Sequence, residues 1–408
     1  MTATPTSTEV IKELKDRLDK DQDLAKLLGE SLQQAQATAE VSLKPVLFKA
    51  LKWPKDVPGY LDYLTEFSEW APRQDPGDAW SNDKGGQQEV YDRLCHFYYL
   101  IHQKVVGDGN RIVQNDTWFK DWLVRYTTAW GRFLDTPASF SAGQLESFKL
   151  APLYRVQDSM VDGKPNEPSG WLTFNQFFAR ELNPGLRPIT APEHNATVTM
   201  PADCIYKETY RIDDKSTIVI PPADSPVRLK LTHEVTTIPQ LLSKKSKHGA
   251  DFAKGTFVHY FLAPYSYHRF HTPVAGQVVE CFPIHENAYL DVAIDKDGQF
   301  DAPDNSADGY EFTQARGVIV IDTANSPYGN IGLVAIVPVG MAQVDSVNMT
   351  MTVGAQVPKG EEFGYFLFGG SDIILLFQEG RAPAIDTDRG YRNYGTSISI
   401  PPPPPRGL

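Results

Sequence analysis

The apolar residues of this chain follow two different periods, and the change between them constrains the fold more than any other feature. Up to about residue 165, hydrophobic side chains recur every three or four positions, the spacing that gathers them on one face of a helix. Ile11, Leu14, Leu18, Leu24, Leu27 and Leu28 do so between Glu9 and Gln36, and they predict an amphipathic helix or a pair of helices. The stretch from Leu43 to Trp70 is broken by Pro45, Pro54 and Pro58, with Pro72 just beyond. It predicts short helices and turns packed through Trp53, Tyr60, Tyr63, Phe67 and Trp70. Two more helices follow, one carrying Tyr91, Leu94, Cys95, Tyr98 and His102, the other Trp118, Trp122, Tyr126, Trp130 and Phe133. So dense an aromatic stripe reads as a bundle core rather than a ligand pocket.

Past the turn-rich GKPNEPSGW the pattern changes. From Thr256 onward, TFVHYFLAP, GQVVECFPI, LDVAI, GVIVID, GLVAIVPVG, AQVDSVNMTM and DIILLFQ are short β-prone runs separated by Gly, Pro, Asp and Asn. The expectation is an α+β protein with a helical N-terminal domain over 1–165 and a β-rich domain over 166–408. A length of 408 residues supports two or three domains with cores of their own. No repeat at a solenoid period is present. The final SISIPPPPPRGL reads as an extended polyproline arm.

Charge narrows the partners. Against 39 Lys and Arg stand 51 Asp and Glu, a formal net charge of −12 that repels phosphate backbones and anionic lipid surfaces. Nucleic acid is therefore not an expected partner. No run approaches the roughly 20 apolar residues that span a bilayer, and MTATPTSTEV lacks the features of a signal peptide, so a cytoplasmic protein without stable membrane insertion is expected. Cys95, Cys204 and Cys281 are an odd number at wide spacing, which fits reduced thiols.

Three segments could carry chemistry. In FLAPYSYHRFHTPVAG, His268 and His271 stand three apart between Pro264 and Pro273. The prolines argue against a helix that would present both to a metal, whereas a general base and a general acid both suit imidazole, which titrates near working pH. A purely structural role for both is equally compatible with the spacing. In KGEEFGYFLFGGSDIILLF, Gly369 and Gly370 precede Ser371 and a buried-strand run from Ile373 to Phe377. A nucleophile elbow needs GxSxG, and Ile373 stands in place of the last glycine. What remains is a turn serine, or a hydroxyl beside a flexible diglycine that could attack the Gly370 carbonyl. In MPADCIY, Asp203 is a turn aspartate or, joined to a histidine, the third member of an Asp-His-Ser arrangement. DNSADG, Asp304 to Gly309, loosely matches the start of a calcium loop, but Ala315 stands at position twelve, so no metal site is expected.

In their order along the chain these segments resemble the phosphatidylserine decarboxylase superfamily of pyruvoyl enzymes. The resemblance rests on PAD at Pro201 to Asp203, YHRFH at Tyr267 to His271, the Gly370-Ser371 pair, and FNQFFARELNPGLRPI at Phe174 to Ile189. Upstream, FKDWLVRYTTAWGRFLDTPASF resembles the helical domain of a fungal-type branch that includes soluble decarboxylases of tryptophan and other aromatic amino acids. Two departures stand out: Asp372 where Thr or Ser usually follows the processing serine, and Cys204 where glycine usually follows the aspartate.

The resemblance implies a precursor that cuts itself. Ser371, deprotonated by His271 with Asp203 behind it, would attack the Gly370 carbonyl; elimination and hydrolysis would then leave a covalent pyruvoyl cofactor in place of Ser371. Cleavage would give fragments 1–370 and 371–408, each the other's partner, with a homo-oligomer left open. The cofactor would take a substrate amine as a Schiff base and accept the electron pair released with carbon dioxide. His268 would then protonate the carbon. The acidic balance and absence of an anchor favour a soluble amino acid substrate, and the resemblance to the fungal-type branch implies an aromatic one. The alternatives are phosphatidylserine as substrate, and an unprocessed relative that only binds.

Overall fold

In the computed structural model, residues 5–81, 86–105, 109–168, 170–220, 225–226, 236–302, 309–340, 346–369 and 371–400 are described. The polyproline tail from 401, most of the Asp304–Gly309 loop, residues 341–345 and Gly370 lie outside them. The helices are α1 (Ser7–Leu18), α2 (Gln22–Ser42), α3 (Pro45–Ala50), α4 (Val57–Phe67), α5 (Glu89–Ile101), α6 (Thr117–Phe133), α7 (Ala142–Lys149), α8 (Phe174–Phe178) and α9 (Ile238–Leu241). The strands are β1 (Met160–Val161), β2 (Lys164–Pro165), β3 (Cys204–Ile212), β4 (Ile218–Ile220), β5 (Ser225–Pro226), β6 (Thr256–Leu262), β7 (Arg269–His271), β8 (Gly276–Ile284), β9 (Ala293–Ile294), β10 (Phe300–Asp301), β11 (Arg316–Asp322), β12 (Leu333–Gly340), β13 (Val347–Met349), β14 (Gln356–Val357), β15 (Glu362–Phe366), β16 (Ser371–Phe377) and β17 (Tyr391–Arg392). An α+β fold, helical first and sheet-rich second, is what the two periodicities predict.

The chain divides into two compact units. The first comprises 1–183, 287–304 and 341–346. Its helices begin where local chemistry says they should: Thr6 and Glu9 form a capping box on α1, and Asp56 caps α4, accepting from the Gly59 N–H at 2.9 Å. The aromatic stripe of α6 is the core, and its polar atoms find carbonyls. Trp122 Nε1 donates to Val10 O at 2.8 Å, Tyr126 Oη to Leu64 O at 2.6 Å, and Trp130 Nε1 to Trp70 O at 3.0 Å.

The first break between units falls at Asn183 rather than near residue 165, because the intervening segment packs backward. Phe177 stacks on Phe140 and lies against Phe148, and Asn183 Nδ2 donates to Met160 O at 2.7 Å. Residues 287–304, expected in the β-rich domain, also belong to the helical unit. His102 Nε2 lies 2.7 Å from Asp291 Oδ1, Gln114 Nε2 donates to Leu290 O at 3.1 Å, and the Phe300 ring lies 5.4 Å from Tyr99. Of the LDVAI run, only Ala293–Ile294 is strand.

The second unit holds 184–286, 305–340 and 347–408. Its main sheet is antiparallel and runs β14-β8-β11-β12-β16-β6-β3-β4-β5, with β17 added beside β3; a three-stranded sheet runs β13-β15-β7. β16 is an interior strand, paired with β12 on one side and β6 on the other. Alternation divides its side chains between two faces. Ile374 and Leu376 join Val337, Val339, Phe257 and Phe312 in a core covered by Ile238, Leu241, Leu242 and Phe252. Ser371, Ile373 and Leu375 therefore lie on the opposite face.

Candidate active site

Ser371 is the first residue of β16, opposite Gly340 on β12 and Leu262 on β6. A strand held by both neighbours fixes the serine backbone, while Gly370 lies outside the described residues. The Ser371 side chain is fully buried, and its Oγ makes no hydrogen bond among the described residues. A buried unpaired hydroxyl carries a desolvation cost, and such groups persist where chemistry needs them. The position fits a group made from the serine itself, because a planar carbonyl in its place leaves no buried hydroxyl to satisfy.

The YHRFH segment forms the run into β7. His268 is fully buried, and its carbonyl accepts from the Phe366 N–H at 2.8 Å. His271, also buried, has both ring nitrogens engaged: Nδ1 is 3.0 Å from Gly360 O and Nε2 is 3.1 Å from Tyr267 Oη. The carbonyl can only accept, so Nδ1 carries the proton and Nε2 accepts from the tyrosine. Burial pushes the His271 pKa down to about 4, and nearby Arg269 adds to the shift, while the Gly360 hydrogen bond opposes it. His271 is thus a neutral, tethered imidazole.

Asp203 is 1% exposed and does not hydrogen-bond a histidine. Arg187 grips it in a fork, Nε at 3.0 Å from Oδ1 and Nη2 at 2.6 Å from Oδ2. A buried carboxylate needs a full countercharge and hydrogen bonds to offset desolvation, and a bidentate guanidinium supplies both. Asp203 Oδ1 also accepts from the Tyr394 backbone N–H at 2.8 Å. The Tyr394 ring in turn lies 3.8 Å from the His271 ring with the planes 2° apart. The aspartate thus reaches the imidazole through a stacked tyrosine. Among the described residues no hydrogen bond joins Asp203 to His271 or His271 to Ser371.

The departure at Asp372 has its own setting. On the core face of β16, Asp372 Oδ1 lies 3.4 Å from His259 Nε2, and both side chains are completely buried. Glu311 is also fully buried, with neither carboxylate oxygen hydrogen-bonded among the described residues. Burial raises its pKa to about 8; the Asp372 charge adds to this, and His259 opposes it. Cys204, the other departure, is a buried thiol that donates to Ala202 O at 3.2 Å, and burial raises its pKa well above the ordinary value. Among the described residues no three His, Cys, Asp or Glu gather as metal ligands, and no helix is long and apolar enough to cross a membrane.

Sequence reasoning did not single out Tyr394, Arg187, Glu311 or His259. Arg187 lies within the FNQFFARELNPGLRPI segment, and its buried partner was the missing half of the signal. Tyr394 is 191 residues from Asp203 and carries no local signature.

Comparison with known proteins places these features in one lineage. Residues 174–396 match the phosphatidylserine decarboxylase family. A phosphatidylserine decarboxylase proenzyme 2 of Oryza sativa subsp. japonica is 30% identical over 319 residues, covering 77% of this chain and 45% of the relative. A phosphatidylserine decarboxylase proenzyme of Chlamydia trachomatis is 33% identical over 226 residues, covering 55% of this chain and 66% of the relative. The decarboxylase iboD of Amanita muscaria is 26% identical over 275 residues, covering 61% and 74%. The chain thus spans less than half the length of the rice relative. A family match across more than half of the chain, containing Asp203, both histidines and Ser371 in one unit, assigns it: this chain belongs to the phosphatidylserine decarboxylase family.

Proposed function

We propose that the chain is a self-processing, pyruvoyl-dependent decarboxylase whose substrate is a soluble amino acid, aromatic such as tryptophan. The observation that carries the processing half is the buried Ser371 Oγ, without a hydrogen bond among the described residues, at the head of an interior strand. Relatives named as proenzymes support a cut at this serine. Ser371 Oγ attacks the Gly370 carbonyl carbon, and the amide becomes an ester as the Ser371 nitrogen is released as an amine. Elimination then frees the Gly370 carboxylate and leaves dehydroalanine at position 371, which hydrolyses with loss of ammonia. The pyruvoyl group so formed supplies an electron sink for decarboxylation.

The occupied nitrogens of His271 favour a different division of labour from the one expected from sequence. His268 takes the Ser371 proton and later returns a proton to the substrate carbon, while His271 holds the pocket with Tyr267 and Tyr394. Removing a general base costs typically 10²- to 10⁴-fold. His268→Gln should slow the cut by about that factor, and His271→Gln by about tenfold or less; the reverse order would restore the sequence-based assignment. Cleavage is read by gel and intact mass.

Substrate choice is supported by the acidic balance and by similarity to a decarboxylase, iboD, whose name carries no lipid. The relatives named for phosphatidylserine favour the second reading, the lipid as substrate. Carbon dioxide release from tryptophan, phenylalanine and tyrosine, against phosphatidylserine in micelles, decides between them. Turnover of the lipid alone would overturn the amino acid reading.

A further inference from the structure

The helical unit holds a cavity of about 250 Å³ that the proposed catalysis does not use. Tyr63, Phe67 and Trp70 from α4 and its C-terminal turn line it, His96 from α5 also lines it, and Lys52 and Arg93 stand among the lining residues. The rings form one continuous wall. Phe67 lies 5.8 Å from Tyr63 and 5.1 Å from Trp70, and His96 meets Tyr63 edge-on at 5.5 Å.

His96 is 2% exposed; its Nδ1 is 3.2 Å from Tyr63 Oη, and its Nε2 is buried with no hydrogen bond among the described residues. Burial first, and the Arg93 charge second, push its pKa down to about 3, so the ring is neutral. Nε2 is thus sealed within the wall rather than open to the cavity, so the ring contributes its shape and the Tyr63 contact. At the cavity edge Arg93 is partly exposed, its Nε held by Glu89 Oε1 at 2.7 Å and its guanidinium 4.7 Å above the Trp80 ring. That leaves its terminal nitrogens oriented by two fixed contacts. Lys52, paired with Glu66, adds a second cation.

A flat ring stacks on aromatic walls, and a carboxylate answers a preset guanidinium. We propose that this cavity binds a small planar aromatic carboxylate of the aromatic amino acid class, with its ring against Tyr63 and Trp70 and its carboxylate at Arg93. Every residue involved lies in the helical unit, so the inference stands or falls independently of the chemistry at Ser371.

N-acetyl-L-tryptophan is a suitable probe, because its blocked amine cannot condense with a ketone at the catalytic centre. Titrated calorimetrically into the full-length protein as purified, it should bind at one saturable site with Kd below about 1 mM. Arg93→Gln should weaken binding about tenfold, and N-acetyl-L-tryptophanamide, which lacks the carboxylate, should bind as weakly to the unsubstituted protein. Trp70→Ala should abolish binding; should that variant fail to fold, Arg93→Gln, at a partly exposed side chain, carries the decision. No saturation by about 10 mM, or a Kd unchanged in Arg93→Gln, overturns the proposal.

Discussion

The two faces of β16 are made by alternate residues of one strand, yet they solve opposite problems. On one, Ser371 buries a hydroxyl that finds no hydrogen bond among the described residues. On the other, Asp372 buries a carboxylate beside His259, with Glu311 held toward its neutral form close by. The first face holds a neutral hydroxyl where the proposed cut falls; the second gathers two carboxyl groups and an imidazole inside the hydrophobic core. The comparison teaches that, under the proposed cut at Ser371, the residue after it need not take part. Pleating sends its side chain through the sheet, so a substitution there changes the core and not the reacting atoms.

The sharpest way to break this comparison is on the Ser371 face. Ser371→Ala should leave a single uncut chain with no decarboxylase activity while preserving the fold, as read by intact mass and circular dichroism. An active uncut variant would refute the mechanism. Next in size, Arg187→Gln calibrates what a buried carboxylate needs. Stranding Asp203 should destabilise the fold by about 3–5 kcal/mol in urea titration, the usual cost of breaking a buried ion pair. Asp372→Asn removes the charge on the core face but keeps its shape. It should cost about 1–3 kcal/mol and still process, because the change falls on the core face, beside His259. Failure to cut with an intact fold would show that the two faces are coupled.

The smallest effect is one of pH. Glu311 titrates from an ordinary 4.5 up to about 8 in the folded protein, chiefly through burial. The native state therefore binds its proton more tightly than the unfolded state, and stability is fully present below about pH 4.5 and declines as pH rises toward about 8. Glu311→Gln should flatten that decline, read as urea midpoints across this window on an uncut Ser371→Ala background. An unchanged slope would mean that Glu311 is not held neutral.

Much of this was legible before any coordinates. The strands β6, β11, β12 and β16 coincide with nearly continuous apolar runs, because interior strands buried on both faces advertise themselves in composition, whereas β8 shows the alternation of a strand with one half-exposed face. The aromatic helices α5 and α6 followed from spacing alone. What local pattern could not reveal was pairing at a distance. Asp203 is satisfied by Arg187 and by the Tyr394 backbone, and residues 287–304 join the helical unit through His102, Gln114 and Tyr99. Such partners are chosen by burial, which compels each charged or polar group to find a complement wherever the fold brings one. The proposed division of roles between His268 and His271 was out of reach for the same reason, since it rests on Gly360 and Tyr267 occupying the nitrogens of one of them.

The central claim is that this chain is cut between Gly370 and Ser371. Intact-mass measurement of the purified chain tests it most directly. The account predicts two fragments, 1–370 and 371–408, the shorter beginning with a borohydride-reducible ketone in place of Ser371. A single species at the full 45.5 kDa, inert to borohydride, would contradict it.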